Sequence, residues 1–182
     1  MNVKELEKMR HEILVQILDD LTEEFFAANL SEKEKEEDVE VLRVIFDDMG
    51  YETGLDAMGE YAFLPIHTTE DEVQYFSSAI IIADTIEKQN LPKLYEAMSI
   101  LNFYMQCGAY CIDKDKQVLA YKLTTPLPIG LSKEDLYQQV NICMGNSVAV
   151  TDQYCDLILR VNEGSLDIPD MLNELGIYEE NS

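Results

Sequence analysis

The chain has 182 residues, 47% of them hydrophobic, and it carries 13 Lys and Arg against 36 Asp and Glu, a formal net charge of -23. This length and apolar content suit one domain with a sizeable core and argue against a disordered chain. Nucleic acids and anionic membranes repel so negative a surface, so neither is expected as a partner. The acidity itself has two readings: it keeps the protein soluble, or it attracts a basic partner protein.

Apolar runs and cysteines indicate the compartment. The longest purely apolar run is 79–83, far shorter than the roughly 20 residues that span a bilayer. The N-terminus carries charges where a signal peptide has an apolar region, so we expect a cytoplasmic protein. Cys107, Cys111, Cys143 and Cys155 lie in apolar surroundings without a Cys-x-x-Cys motif. We expect them to be reduced and buried.

The N-terminal part of the chain has the spacing of helices. Residues 1–30 carry apolar side chains at helical intervals from Leu6 to Phe25, which predicts an amphipathic helix. Ser31 then opens the capping-box sequence "SEKE", and apolar positions continue at helical spacing up to Gly50. A second helix is therefore predicted between Ser31 and Gly50.

Short segments rich in aromatic and β-branched residues follow between residues 51 and 83. The segments "YAFLPIHTT" and "VQYFSSAIIIA" predict strands of an antiparallel meander. Pro65 lacks a backbone donor, so the first of them is expected at a sheet edge or at a bulge. Pro92 and Gly108 then bound a helix, and "GAYCID" with "QVLAYKLTT" predicts a hairpin that turns at residues 113–116.

The last long helix is predicted from the capping box at Ser132 to Gly164. Gly145, Asn146 and Ser147 interrupt its pattern and predict a kink or a close backbone contact. Pro169 then opens a short helix in the C-terminal tail.

Two cysteines and two aspartates crowd around the hairpin and raise the question of a metal site. A calcium loop starting at Asp113 would need Gly and Glu where the sequence has Val118 and Thr124. Zinc would need a second ligand pair with metal-site spacing, and the sequence offers none. We therefore expect a plain turn, with Cys111 as a small core residue and neither a metal nor another cofactor.

The two histidines give little support for catalysis. His11 lies on the polar side of the first helix, and His67 follows a strand without a Ser or Cys nucleophile at a recognisable motif. The common signatures of hydrolases, nucleotide-binding proteins and metalloproteases are also missing. We expect no catalytic residue. The alternative is an enzyme or ligand sensor that uses His67 and nearby carboxylates in a pocket.

Aromatic residues cluster in the predicted sheet. Strand alternation places Tyr61 and Phe63 on the side opposite Ala62 and Leu64, and both sides are apolar. Such a strand is either covered twice or exposes a patch that binds something. The candidate partner contacts are Tyr61, Phe63, Tyr75 and Tyr121, and the alternative is that each is an ordinary core residue.

The order of elements resembles the YbjN-like family of bacterial proteins and, more distantly, the fold of type III secretion chaperones. The similar part covers roughly residues 38–164, and its most telling segment is "LYEAMSILNFYMQCGAYCIDKDKQVLAYKLTTPLPIGLSKEDL". There a helix carrying Asn102 leads through Gly108 into a hairpin and then into a Ser-capped helix. The resemblance implies an α+β fold with an antiparallel sheet of about five strands and helices mainly on one face.

The resemblance also organises the expectations about domains and function. We expect residues 1–30 as a helical extension, 31–164 as the YbjN-like domain and 165–182 as a short tail helix. The leading hypothesis is a non-enzymatic, chaperone- or adaptor-like module that holds a segment of a partner protein. That segment, from a basic client, would pair with the "YAFLPIH" edge or lie on an exposed sheet face. The alternative is a homodimeric regulatory or ligand-sensing domain that associates through its N-terminal helix.

Overall fold

The structure is a computed structural model that describes residues 2–24, 26–31, 39–66 and 72–177. Its strands are β1 (Ala27–Leu30), β2 (Leu42–Met49), β3 (Leu55–Phe63), β4 (Val73–Ala83), β5 (Ala109–Asp113) and β6 (Val118–Pro128). Its α-helices are α1 (Val3–Glu23), α2 (Leu91–Tyr104), α3 (Lys133–Glu163) and α4 (Ile168–Glu174).

Within these ranges the fold is α+β, as expected. All strand pairs are antiparallel, and the strand order is β1-β2-β3-β4-β6-β5. The helices pack on one face of the sheet. The described sheet has six strands, whereas about five were expected, and two of the six, β1 and β2, lie where helix was predicted.

Helix α1 forms because its first turn is capped and one of its faces is apolar. The side chain of Asn2 accepts a hydrogen bond from the Glu5 amide, and the Glu5 carboxylate accepts one from the Asn2 amide, both at 2.9 Å. The helix ends at Glu23, earlier than predicted, and residues 27–30 form β1.

The described part of the α1 stripe packs against its own chain. Leu6, Ile13 and Ile17 are buried, and Ile13 and Ile17 belong to the same core as the sheet. These residues are therefore not free to complete the core of a partner subunit, and the alternative of a dimer through this helix finds no support in this arrangement. The boundary expected at residue 30 falls between β1 and β2, which pair with each other.

The helix predicted between Ser31 and Gly50 is wrong, because residues 42–49 form β2. Leu42, Phe46 and Met49 fit helical spacing, but Leu42, Val44 and Phe46 also alternate with more exposed residues, as a strand requires. Pairing with β1 on one side and β3 on the other satisfies the backbone and decides between the two periods. Most of the predicted cap, residues 32–38, lies outside the described part of the chain.

The meander over β3 and β4 is confirmed, but β3 is an inner strand and not a sheet edge. It pairs with β2 up to Tyr61 and with β4 up to Phe63, so in the described residues its last two positions lack a β2 partner. It ends at Phe63, and the Leu64 amide still donates to the Tyr75 carbonyl at 2.9 Å. Pro65 therefore lies just past the strand, where its missing donor breaks no ladder bond.

The hairpin and both later helices agree with the sequence predictions. The turn after β5 is held by the Asp113 carboxylate, which accepts hydrogen bonds from the amides of Asp115 and Lys116. In α3, Ser132 caps the N-terminus and Gly164 ends the helix with φ +80°. The helix continues through residues 145–147, and a Cβ at Gly145 would meet no atom within 4 Å, so no close contact explains this glycine.

Candidate binding surface

The four predicted contact residues lie on opposite sides of the sheet. Tyr61, Phe63 and Tyr121 point towards the helices and are buried in the core. Tyr75 points away from the helices, and 49% of it is exposed. Three of the four therefore contact the protein's own side chains, and a partner on the surface can reach only Tyr75.

Neighbouring glycines explain why two large tyrosines fit in the core. The Tyr61 ring lies over Gly59, and the Tyr121 ring lies over Gly108, where a Cβ would collide with it. Gly108 also has φ +67°, a conformation that favours glycine. The Tyr121 hydroxyl donates to the Cys107 carbonyl at 2.9 Å, so this buried polar group is satisfied. Sequence alternation assigned Tyr61 and Phe63 to one face but could not say which face the helices cover.

The side of the sheet away from the helices is here called the open sheet face. No described helix covers it. The strand registers align one apolar or small residue from each of the six described strands into a row, here called the apolar row. Its members, in sheet order, are Ala27, Ile45, Met58, Ile81, Ala120 and Cys111. All are at least partly exposed, and Ile45 is 37% exposed.

Charged side chains flank the apolar row on both sides. Asp47, Asp56 and Asp113 are exposed and, by strand alternation, lie on the open sheet face beyond one side of the row. On the other side Arg43 and Glu60 form an ion pair with an Nε to Oε1 distance of 2.9 Å, and the exposed Lys122 lies in line with them on the same face. The carboxylates at one side give the open sheet face an acidic border.

An aspartate of α3 shapes that border, and sequence reasoning missed it. The Asp156 carboxylate accepts hydrogen bonds from the amides of Tyr51, Glu52 and Thr53 at 2.7 to 3.1 Å and from the Thr53 hydroxyl at 2.6 Å. Burial raises the pKa of Asp156, but these hydrogen bonds outweigh it, so its pKa lies below the usual value. The turn between β2 and β3 is thus fixed to α3.

A buried arginine fixes the opposite end of the sheet, and it too was missed. Arg10 of α1 donates through Nε to the Gln74 side chain at 2.9 Å and through Nη1 to the Leu64 carbonyl at 3.1 Å. Its guanidinium lies 5.1 Å from the centre of the Phe63 ring. Burial lowers the pKa of Arg10, and Glu7 opposes that shift. Neither residue pair has a sequence signature, since more than fifty positions separate Arg10 from its partners.

Other expectations have simpler outcomes. Cys143 and Cys155 are buried, whereas Cys107 and Cys111 are only partly buried, so Cys111 is not the core residue expected. His67 lies outside the described residues. In the described ranges, no three His, Cys, Asp or Glu side chains are grouped to hold a metal ion. None of the helices in those ranges is long and apolar enough to cross a membrane.

No protein-family model matches the chain, and no curated protein is significantly similar to it. The resemblance to the YbjN-like family therefore stays an expectation from the sequence.

Proposed function

We propose that this chain is a non-enzymatic protein-binding module, similar to a YbjN-like or secretion-chaperone-like protein, that holds an extended basic segment of a partner on its open sheet face. The apolar row is the observation that carries the proposal. We place the activity in the cytoplasm, where its free cysteines stay reduced.

The apolar row has the size and chemistry of a segment-binding site. Neighbouring strands lie about 4.8 Å apart, so a row across six strands is about 24 Å long, the length of about seven extended residues. A contiguous exposed apolar patch of this kind on a soluble protein marks an interaction surface. Ile45, Met58 and Ile81 supply its largest side chains, and they follow one another on three neighbouring strands.

The acidic border favours a segment whose basic side chains lie on that side of the row, away from Lys122. Apolar side chains of the segment would cover the row, while its Lys or Arg side chains would approach Asp47, Asp56 and Asp113. The net charge of -23 would also speed the approach of a basic partner, an effect that salt weakens. An acidic segment would be repelled both at long range and at this border.

A peptide-display selection with a matched pair of variants tests this proposal. The immobilised full-length chain is used to select short random peptides, and each enriched peptide is then measured by fluorescence anisotropy. Ile45→Glu places a carboxylate in the apolar row. Ile142→Glu makes the same change at an exposed isoleucine of α3, on the helix side, and serves as its control.

We expect enriched peptides to combine apolar residues with Lys or Arg. Their dissociation constants should rise at least about tenfold with Ile45→Glu, because the apolar side chains of the peptide lose the Ile45 contact and would have to cover a carboxylate, whereas their Lys or Arg side chains lie at the border. Ile142→Glu should leave binding unchanged, and added salt should weaken it. Peptides without basic residues, or equal binding to both variants, would contradict the proposal, and so would a selection that enriches nothing.

A further inference from the structure

Two long segments of this acidic chain carry no charge. Residues 97–112 and 136–151 contain no Asp, Glu, Lys or Arg, although such residues make up 27% of the chain. The first segment covers the second half of α2 and most of β5, and the second covers the middle of α3. Charged residues normally make up most of the solvent-exposed surface of a helix. Their absence from these two segments therefore requires an explanation.

The two uncharged segments meet near their C-terminal ends, whereas the start of the second one lies beside α1, where the Tyr137 hydroxyl donates to the Asp20 carboxylate. Helices α2 and α3 pack together and run in opposite directions. Asn90, just before α2, donates to the Asn162 carbonyl near the end of α3. Tyr110, just after α2, has its hydroxyl 3.5 Å from the Thr151 carbonyl in the second half of α3. The C-terminal end of α2 is therefore level with the middle of α3.

The outer surface of these segments is exposed and uncharged, and it mixes apolar side chains with neutral polar ones such as Gln138 and Asn146. On α3, Ile142 is 53% exposed, Gly145 has open space over its Cα, and Ala149 is exposed; this spacing puts all three on one side of the helix. On α2, Phe103 is 78% and Tyr104 52% exposed. This surface is here called the uncharged helix face.

We propose that a second copy of this chain binds through the uncharged helix face, with α3 of one protomer crossing α3 of the other near Gly145. Two copies that each carry -23 repel each other wherever their carboxylates meet. Around Gly145 the two segments bring no carboxylate of their own into the contact. The Asp20 carboxylate of α1 lies at the start of the second segment, about two turns of α3 before Gly145, and is bound by the Tyr137 hydroxyl. A basic partner finds no carboxylate of these segments to pair with, so charge favours self-association here.

The local shape suits such a contact. Helix axes pack 8–10 Å apart according to the side chains between them, so Gly145 and Ala149 permit close approach. A two-fold axis near Gly145 would bring Ile142 of each protomer to the same contact, as an isologous interface requires. Phe103 and Tyr104, exposed at the end of α2, lie level with the later part of the second segment near Thr151 and add apolar area there.

A dimer of this kind is separate from the proposed partner binding, but it would make that binding bivalent. The helices and the open sheet face lie on opposite sides of each protomer, so a dimer through the helices leaves both open sheet faces uncovered. Such a dimer presents two binding faces and holds a partner with two basic segments more tightly than one.

Sedimentation velocity of the full-length chain over a wide dilution series tests the inference. We expect a species of twice the monomer mass that dissociates on dilution. Ile142→Glu and Gly145→Leu should each raise the dimer dissociation constant at least about tenfold, the first by burying unpaired carboxylates and the second by keeping the helices apart. Ile45→Glu on the open sheet face is the matched control and should leave the dimer intact.

Circular dichroism and thermal unfolding of every variant separate loss of assembly from loss of fold. A wild-type chain that is monomeric throughout the series would overturn the inference, as would folded Ile142→Glu and Gly145→Leu variants that stay dimeric. Dimerisation lost in Ile45→Glu but kept in Ile142→Glu would move the contact to the open sheet face and overturn it too. Peptide binding by a monomeric chain would leave the proposed function standing, so the two claims fail separately.

Discussion

The carboxylate of Asp156 is the partner of three consecutive backbone amides in the turn after β2. The turn at residues 50–53 has no ladder partner for these donors, and a buried amide without an acceptor costs free energy. One side chain from a distant helix satisfies all three. A single residue thereby sets the geometry of the acidic border on which Asp47 and Asp56 lie.

Replacing Asp156 should destabilise the fold more than replacing Asp152, which lies one helical turn earlier in α3. Asp156→Ala leaves three amides and the Thr53 hydroxyl without their acceptor and should lower the free energy of unfolding by about 2–4 kcal/mol. Asp152→Ala removes an acceptor from the Gly50 amide alone and should cost about 1 kcal/mol. Urea unfolding followed by circular dichroism measures both. Equal losses in the two variants would contradict this role of Asp156.

The same carboxylate predicts a pH dependence. The pKa of Asp156 is lower in the folded chain than in the unfolded one, so its stabilisation is fully present above the unfolded pKa. It should be lost as the pH falls from about 4 through the folded pKa. In Asp156→Asn, which cannot ionise, that part of the acid-induced loss should be absent. Urea midpoints of the two proteins measured down to acidic pH test this, and parallel curves would refute it.

Among the elements, α1 was predicted correctly as an amphipathic helix, but its apolar stripe packs within the chain and not against a second copy. Its apolar stripe and its polar face were visible in the sequence, and so were the caps of α3 and the turn of the β5–β6 hairpin. Those signals act within a few residues. That the stripe packs into its own chain depends on contacts with α3 and the sheet, such as the 2.8 Å bond between Lys133 Nζ and Glu12 Oε2.

Two isoleucines give a direct test of α1 as a core element. Ile13 is buried in α1, and Ile142 is exposed on α3. Ile13→Ala should lower the free energy of unfolding by about 2–4 kcal/mol, because it removes buried carbon and leaves a cavity. Ile142→Ala should cost less than about 1 kcal/mol in the monomer. If α1 were a detachable dimer element instead, the loss in Ile13→Ala would vary with protein concentration.

The secondary structure of β2 could not be decided from the spacing of its apolar residues. Leu42, Val44, Phe46 and Met49 satisfy parts of both a helical and a strand period, and the short-range signals at Ser31 and Gly50 favoured the helix. The segment forms a strand because β1 and β3 pair with it from both sides. The spacing of apolar residues in one segment does not show which other segments pair with it. An antiparallel sheet could therefore be predicted, but not its number of strands.

For the whole molecule, the sequence predicted the layer order correctly, but it placed the four candidate contacts on one surface, and three of them lie in the core. Three of the four aromatic contacts were assigned to the surface because aromatic residues in a strand look alike on either face. The apolar row went unseen because it joins single residues from six strands, and only the registers bring them together. Its members, such as Ala27 and Ala120, look unremarkable one at a time.

The measurement that tests the central claim most directly is a titration of the isoleucine-methyl-labelled chain, followed by NMR, with the tightest basic peptide from the display selection. Ile45 and Ile81 report on the open sheet face, Ile142 on the uncharged helix face, and buried Ile13 on the core. We predict that the peptide shifts the signals of Ile45 and Ile81 and leaves those of Ile142 and Ile13 in place. Shifts at Ile142 with none at Ile45 and Ile81 would show that partners bind on the helix side and would contradict the account.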